Sequence, residues 1–391
     1  MSFVFSIFMV MLFILIGEWV SKASHAYIPS VFITAILFVI SYWTFMPKTF
    51  VASASFGPQF AQICIALLLV HLGTLMSLKQ LLKQWKAVCI SLLGVCGTIA
   101  LTLIVGHFFF NWKSVIAAIP PLTGGLVSAT LMVTGLKAQG LTAFIALPVT
   151  MFVTHSIFGY PLTAALLKSE SKRLLSNFSQ AKAENPDLVT KVEDENQVTK
   201  KSVVPEGYST SAYMITKVAA VALLAQLFGM LTHNFLNVNV VYLIFGVLAH
   251  QLGFLEDKVL EKAGVSNWLM YGLIAFVFSQ LSVVTPNGML SIIGEIIVLI
   301  LLGMLGMFLA SWALSKPFGM SWQMAFACAL TALFGFPADY IMTNEVANNV
   351  AQNEEEKNYL LNNMMPKMLV GGFATVSVAS VIIASIFMKL L

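Results

Sequence analysis

The sequence predicts an all-α polytopic membrane protein. It reads as two inverted repeats of five helices, each with a re-entrant or broken segment. Three observations predict this. Of 391 residues, 59% are hydrophobic and only 10% are charged, whereas soluble globular domains carry about 25% charged residues. The apolar runs follow one another at close to the ~20 residues that cross a bilayer. Helix-breaking residues also interrupt corresponding places in the two halves.

The runs themselves come first. Residues 2–21, 28–46, 58–77, 87–109 and 141–166 read as spans of the first half. Residues 209–230, 237–255, 267–285, 289–314 and 368–390 read as spans of the second. The first run has no positive leading region and no clear small-residue cleavage site, so it reads as a membrane helix rather than a signal peptide. Residues 114–135 and 320–346 do not read as simple spans. One holds Pro120, Pro121, Gly124 and Gly125, and the other Gly335, Pro337, Asp339 and Glu345. Between the halves, Lys168–Gly207 carries seven basic and seven acidic residues and few large apolar ones, the composition of a solvated linker. The expected organisation is a first membrane repeat over 1–167, a cytoplasmic linker over 168–207 and a second membrane repeat over 208–391.

The order of features repeats. Trp112 and Trp322 each follow a long apolar helix and open a broken stretch. His71 and Gln280 sit at similar distances before them, each inside an otherwise apolar helix, and are expected to face one another. Matched interruptions in two halves point to repeat-built membrane proteins with a site at the repeat interface. Lysine placement tests the topology. If each broken stretch enters and leaves on one side and the linker is inside, Lys22, Lys79, Lys83, Lys86, Lys258, Lys262, Lys316, Lys357 and Lys367 fall inside with the linker's basic residues. Lys48, Lys113, Lys137 and Lys389 fall outside. That bias follows the positive-inside rule and favours ten spans over twelve.

The broken stretches carry the chemistry. Broken helix ends expose N–H groups suited to a carboxylate and carbonyls suited to a cation. Thr123, Gly124, Gly125 and Ser128 are therefore expected to bind a substrate through backbone and hydroxyl groups, with Asn344 and Asn348 opposite. Acids inside a membrane are costly and mark ion or proton sites. Asp339 is the first candidate for ion coupling and for ligating a metal cation. Glu345 and Glu295 are further candidates, Glu345 also being a candidate surface cap. Histidine His155 in the fifth span reads as an interhelical donor. Packing glycines in kinked helices are the competing reading of the first stretch.

Other classes find little support. Cys64, Cys89, Cys96 and Cys328 match no zinc or disulfide spacing. The net charge of +4 comes without a basic cluster for nucleic acid. No nucleotide motif, membrane-protease pair or repeated selectivity filter is evident, which argues against an enzyme or a channel.

The layout resembles the bacterial sodium/glutamate symporter family. In the first broken stretch Thr123, Gly124 and Gly125 match the start of the family's segment. Leu126 and Val127 stand where the family has a histidine and a glycine. In the second, Pro337, Ala338 and Asn344 or Asn348 are counterparts, and Asp339 departs from the pattern. The resemblance implies an elevator-type transporter, a homodimer in a bacterial cell membrane, with both termini outside. It implies a secondary active transporter moving a small organic anion or amino acid such as glutamate, coupled to a sodium or proton gradient. No cofactor is expected beyond bound Na+, and the expected partners are the small-molecule substrate and the coupling ion. A cation/proton antiporter or a metabolite exporter is the alternative.

Overall fold

The computed structural model describes residues 2–74, 84–141, 144–178, 210–232, 238–283 and 286–391. These residues are helical apart from short connections. The helices are α1 (Phe3–Ala23), α2 (Ser30–Thr44), α3 (Phe50–Ser53), α4 (Pro58–Gly73), α5 (Trp85–Phe109), α6 (Trp112–Ala138), α7 (Ala146–Ser176), α8 (Ser211–Leu231), α9 (Val238–Gln251), α10 (Val259–Lys262), α11 (Ser266–Ser279), α12 (Pro286–Ser315), α13 (Trp322–Phe334), α14 (Ala338–Val350), α15 (Glu354–Phe373) and α16 (Ser380–Met388). A π-helical turn, Ala374–Ala379, joins the last two. Among the described residues, five helices are long and apolar enough to cross a membrane: α1, α5, α7, α8 and the Ile292–Ser315 part of α12. The protein is therefore an all-α, multi-span membrane protein. Exposed apolar side chains such as Leu223, Leu224, Leu231, Leu301 and Trp312 are what a lipid-facing surface requires.

Local chemistry sets the helix ends. Pro58 stands in the first turn of α4, where a missing N–H costs nothing. Thr210, Ser321 and Asn353 accept the N–H groups of Tyr213, Met324 and Glu356 and so cap α8, α13 and α15. Two sequence boundaries move. The last span was expected at 368–390, but α15 begins at Glu354, because the Asn353 cap and the acids Glu354, Glu355 and Glu356 start a helix well before the apolar run. Helix α7 continues past residue 167 to Ser176, so the polar segment begins as a helix. Positions 75–77 of the third expected span lie outside the described residues.

The chain divides into two compact units, each drawn from both sequence halves. The first comprises Met1–Met11, Thr49–Lys83 and Lys182–Val277. Within it α4 and α9 pack backbone to backbone. A β-carbon on Gly73 would lie 2.5 Å from the Val247 nitrogen, and one on Gly246 would collide with the Val70 carbonyl. Small residues permit this close approach in membranes. Polar groups gather around α10. Lys217 pairs with Glu256 at 2.8 Å, His250 with Asp257 at 2.5 Å, and His71 Nδ1 accepts the Leu260 N–H. The side chain of Gln280, expected to face His71, lies outside the described residues.

The second unit comprises Leu12–Lys48, Gln84–Ala181 and Phe278–Leu391. Helices α5 and α12 run antiparallel at its centre. A β-carbon on Gly97 would meet the Gly306 carbonyl, and one on Gly306 the Gly97 carbonyl. Thr98 donates to the Gly303 carbonyl at 2.9 Å. Further contacts trace the direction of the remaining helices. At the C-terminal end of α7, Glu170 accepts from Ser321 at the start of α13, and Phe178 touches Tyr359 near the start of α15. Lys168 donates to the His25 carbonyl between α1 and α2. Glu345, late in α14, binds Ser21 and Ser30 beside that same connection. The start of α13 and the later part of α14 therefore lie at one end of α7. Their junction lies midway along it, where Tyr160 packs on Phe334 at 5.2 Å.

The stretch in α6 behaves likewise at the other end. Trp85, at the start of α5, packs on Phe318, next to the start of α13, so Phe109 lies at the far end. Trp112 follows at once. Midway, Leu122 reaches Gly303. Near the close of α6, Gly135 abuts Met388 and Gln139 donates to the Met388 carbonyl. Met388 ends a helical run that started beside Phe178, so α6 starts and finishes at the far end.

Candidate functional site

Proline and glycine create both breaks. Pro337 has no N–H, so the Leu333 carbonyl loses the i+4 donor of a continuous helix, and Pro120 and Pro121 do the same to the Ile116 and Ala117 carbonyls. Gly125 has φ 61° and ψ −143°, and Gly335 has φ 59° and ψ −159°. Glycine alone occupies that region readily. Each stands thirteen residues after the tryptophan that opens its stretch. The Phe336–Pro337 peptide is cis.

The two breaks converge. A β-carbon on Gly125 would lie 3.8 Å from the Leu333 oxygen and 3.7 Å from Val376 Cγ1. One on Gly335 would lie 2.8 Å from Val376 Cγ2. Val376 belongs to the π-helical turn, a feature that spoils regular carbonyl pairing and recurs at functional sites. Ser128 donates to the Ser380 carbonyl at 3.0 Å, Ser380 to the Val376 carbonyl at 2.6 Å and Thr375 to the Gly371 carbonyl at 2.9 Å. Gly124 lies so close to Ser128 and Ser380 that a side chain there would collide with both.

Asp339 sits one turn beyond the second break and is fully buried. Its Oδ1 accepts the Tyr340 N–H at 2.7 Å, and its Oδ2 has no hydrogen-bond partner. A β-carbon on Gly372 would lie 2.5 Å from Oδ2, so only glycine leaves room beside it. Among the described residues no three His, Cys, Asp or Glu side chains converge as metal ligands. A cation at Asp339 would thus complete its shell from carbonyl, hydroxyl or water oxygens.

The other expected site residues divide. Thr123 is fully buried and turns its hydroxyl back to the Ile119 carbonyl at 3.2 Å, so it supports the helix before the break. Asn344 is half-buried and Asn348 exposed on α14, one and two turns past Asp339 and away from the glycine junction. Glu345 is not beside Asp339. Its Oε2 accepts Ser21 Oγ at 3.0 Å and the Ser30 N–H at 3.1 Å, a carboxylate anchoring the N-terminus of α2. Glu295 shares a hydrogen bond with Ser114, early in α6, about 16 Å of helix before Gly125. The structure therefore brings Gly124, Gly125 and Ser128 together with the Gly335 break, and leaves Glu345, Glu295 and Asn348 outside that cluster.

Sequence reasoning missed the π-helical turn, Gly371, Gly372 and Val376. The Gly371-Gly372 pair inside an apolar run was the available signal. It also missed Glu170, which binds Arg173 through both carboxylate oxygens at 2.7 and 2.8 Å while accepting from Ser321 at 2.6 Å.

Comparison of the chain with protein-family models and with curated proteins gives no match.

Proposed function

We propose that the protein is a secondary active transporter that moves a small carboxylate-bearing solute across the membrane, coupled to a cation or proton gradient. One observation carries the reading: two broken stretches enter the second unit from opposite ends and meet at Gly125, the Leu333 carbonyl, Gly335 and Val376, beside a fully buried acid. Exposed helix ends at membrane depth are tolerable only where protein or a wet cavity covers them, and repeat-built transporters bind substrate and coupling ion at such places. The donors of the first break suit a carboxylate, and Asp339 suits the coupling ion.

Inverted five-helix halves are part of this proposal. The reciprocal Gly97–Gly306 contact supports a pseudo-two-fold axis between α5 and α12. Matched packing supports it further: Val70 of α4 lies on Gly246 of α9, and Phe278 of α11 lies on Phe38 of α2. An elevator-type motion in a homodimer follows from the resemblance to sodium/glutamate symporters.

The test is solute accumulation in sealed vesicles over a panel of carboxylates and amino acids, with sodium and proton gradients collapsed separately. Accumulation that disappears with one gradient is expected. Asp339→Asn keeps the shape and removes the charge, so it should abolish that dependence at matched expression. Wild-type ion dependence in Asp339→Asn, or equal accumulation with both gradients collapsed, defeats the proposal.

A further inference from the structure

Helix α7 carries a cluster of buried polar groups that make no well-formed hydrogen bond. His155 is fully buried about 15 Å into the helix, near the middle depth of a bilayer. The Leu333, Phe152 and Met151 carbonyls surround its ring, yet neither ring nitrogen makes a hydrogen bond of good geometry. Thr154 and Thr163 are buried too, and their hydroxyl oxygens also lack partners. Buried polar groups are normally paired, and each exception calls for an explanation. Four such atoms within ten residues of one helix, all of them donors or potential donors, point to a ligand or to water.

Their position gives the cluster a neighbour. His155, Gly159 and Thr163 follow at four-residue spacing, which puts them on one face. A β-carbon on Gly159 would lie 2.9 Å from Leu333 Cδ1 and 3.6 Å from Phe334 Cδ1, so this face lies against the end of α13. The Leu333 carbonyl that borders the His155 ring is the one that Gly125 faces, and the one Pro337 leaves without its helical donor. The ring thus sits against the junction of the two breaks.

We propose that this face of α7 is a third wall of the site, with the His155 imidazole N–H and the Thr163 hydroxyl binding a carboxylate group of the solute directly. An imidazole offers one donor and one acceptor when neutral. An ionised Asp339 offers only acceptors and repels an anion, so the carboxylate falls to the donors of α7 and of the first break. This assignment rests on the transporter reading, but water access to His155 can be measured without it.

The experiment uses the full chain in sealed vesicles, with Cys64, Cys89, Cys96 and Cys328 replaced by serine or alanine. His155→Cys and Thr163→Cys are exposed on both faces to a charged methanethiosulfonate reagent. Thr190→Cys, in the linker, is the accessible control, and Ala117→Cys, at a fully buried position, is the inert one. Both α7 cysteines should react, and saturating L-glutamate, succinate or citrate should slow at least one of them about tenfold. An α7 cysteine pair as inert as Ala117→Cys, with Thr190→Cys labelled, overturns the third wall and makes His155 a core residue. Reaction that none of the three carboxylates slows overturns the carboxylate assignment. If no solute accumulates in vesicles, the transport reading fails, while reagent access at 155 stands or falls separately.

Discussion

The two positive-φ glycines are where single residues decide the site. At Gly335 an added methyl group meets both an unfavourable backbone region and Val376 at 2.8 Å. Gly335→Ala should cost about 2–3 kcal/mol. Gly57 has φ −81° and open space around it, so Gly57→Ala should stay within about 0.5 kcal/mol. Reversible unfolding of the two variants in detergent checks the contrast, and equal stabilities would contradict it. Glu345 tests a different point. Removing an acceptor of two hydrogen bonds at a helix N-terminus should destabilise by about 1.5–3 kcal/mol, so Glu345→Ala should lower stability and leave the dependence on the coupling gradient intact. Loss of that dependence at matched expression would return Glu345 to the ion path. The sequence displayed all of these residue types, and its proline and glycine clusters located both breaks. Which acid sits at the break and which one caps a helix depended on the 315 positions separating Glu345 from Ser30, a distance that no local pattern spans.

At the scale of elements, the apolar runs made most helices legible, because hydropathy and length alone define a membrane span. The first half of α15 was not legible: its first turn is acidic and its continuation, Asn362-Asn363-Met364-Met365-Pro366-Lys367, is polar and interrupted. The π-helical turn was not legible either. It arises from one extra residue per turn, which leaves no mark in composition. A turn that takes in the extra residue keeps α16 in register with α15, with Ser380 beside Ser128 and Gly124. Deleting Ala379 should convert the turn to α-helix while Ser380 keeps its side, because the π turn covers about the same rotation with one residue more, and should remove the carbonyl that the π turn leaves without a regular partner. The protein should still insert in the membrane, and transport should fall to background. A deletion variant with wild-type transport would show that the π-helical turn plays no part in the site.

For the whole molecule, the sequence anticipated two halves, whereas compactness groups the chain differently, each unit taking segments from both halves. Hydrophobic pattern records which residues enter the membrane and not which helices pack together, so that regrouping was beyond its reach. The sidedness is an expectation that helix directions and lysine placement carry together. Helix α1 ends at Ala23, beside the connection that Lys168 touches, and its 21 residues give a length of about 30 Å, one hydrocarbon thickness. The run from Glu354 to Met388 begins beside Phe178 and finishes at Gln139, at the opposite end of α7. With the inverted repeats proposed above, Ser2 and Leu391 are expected on the side opposite the polar segment, which the lysine bias predicts to be inside. In intact cells of a cysteine-free variant, Ser2→Cys and Leu391→Cys should react with an impermeant thiol reagent, and Thr190→Cys should react only after lysis. Two termini on opposite sides would require one broken stretch to cross fully, because a full crossing in a single half changes the parity of the spans. That result would remove the inverted relation between the halves, and with it the reason for Gly125 and Gly335 to share one backbone conformation.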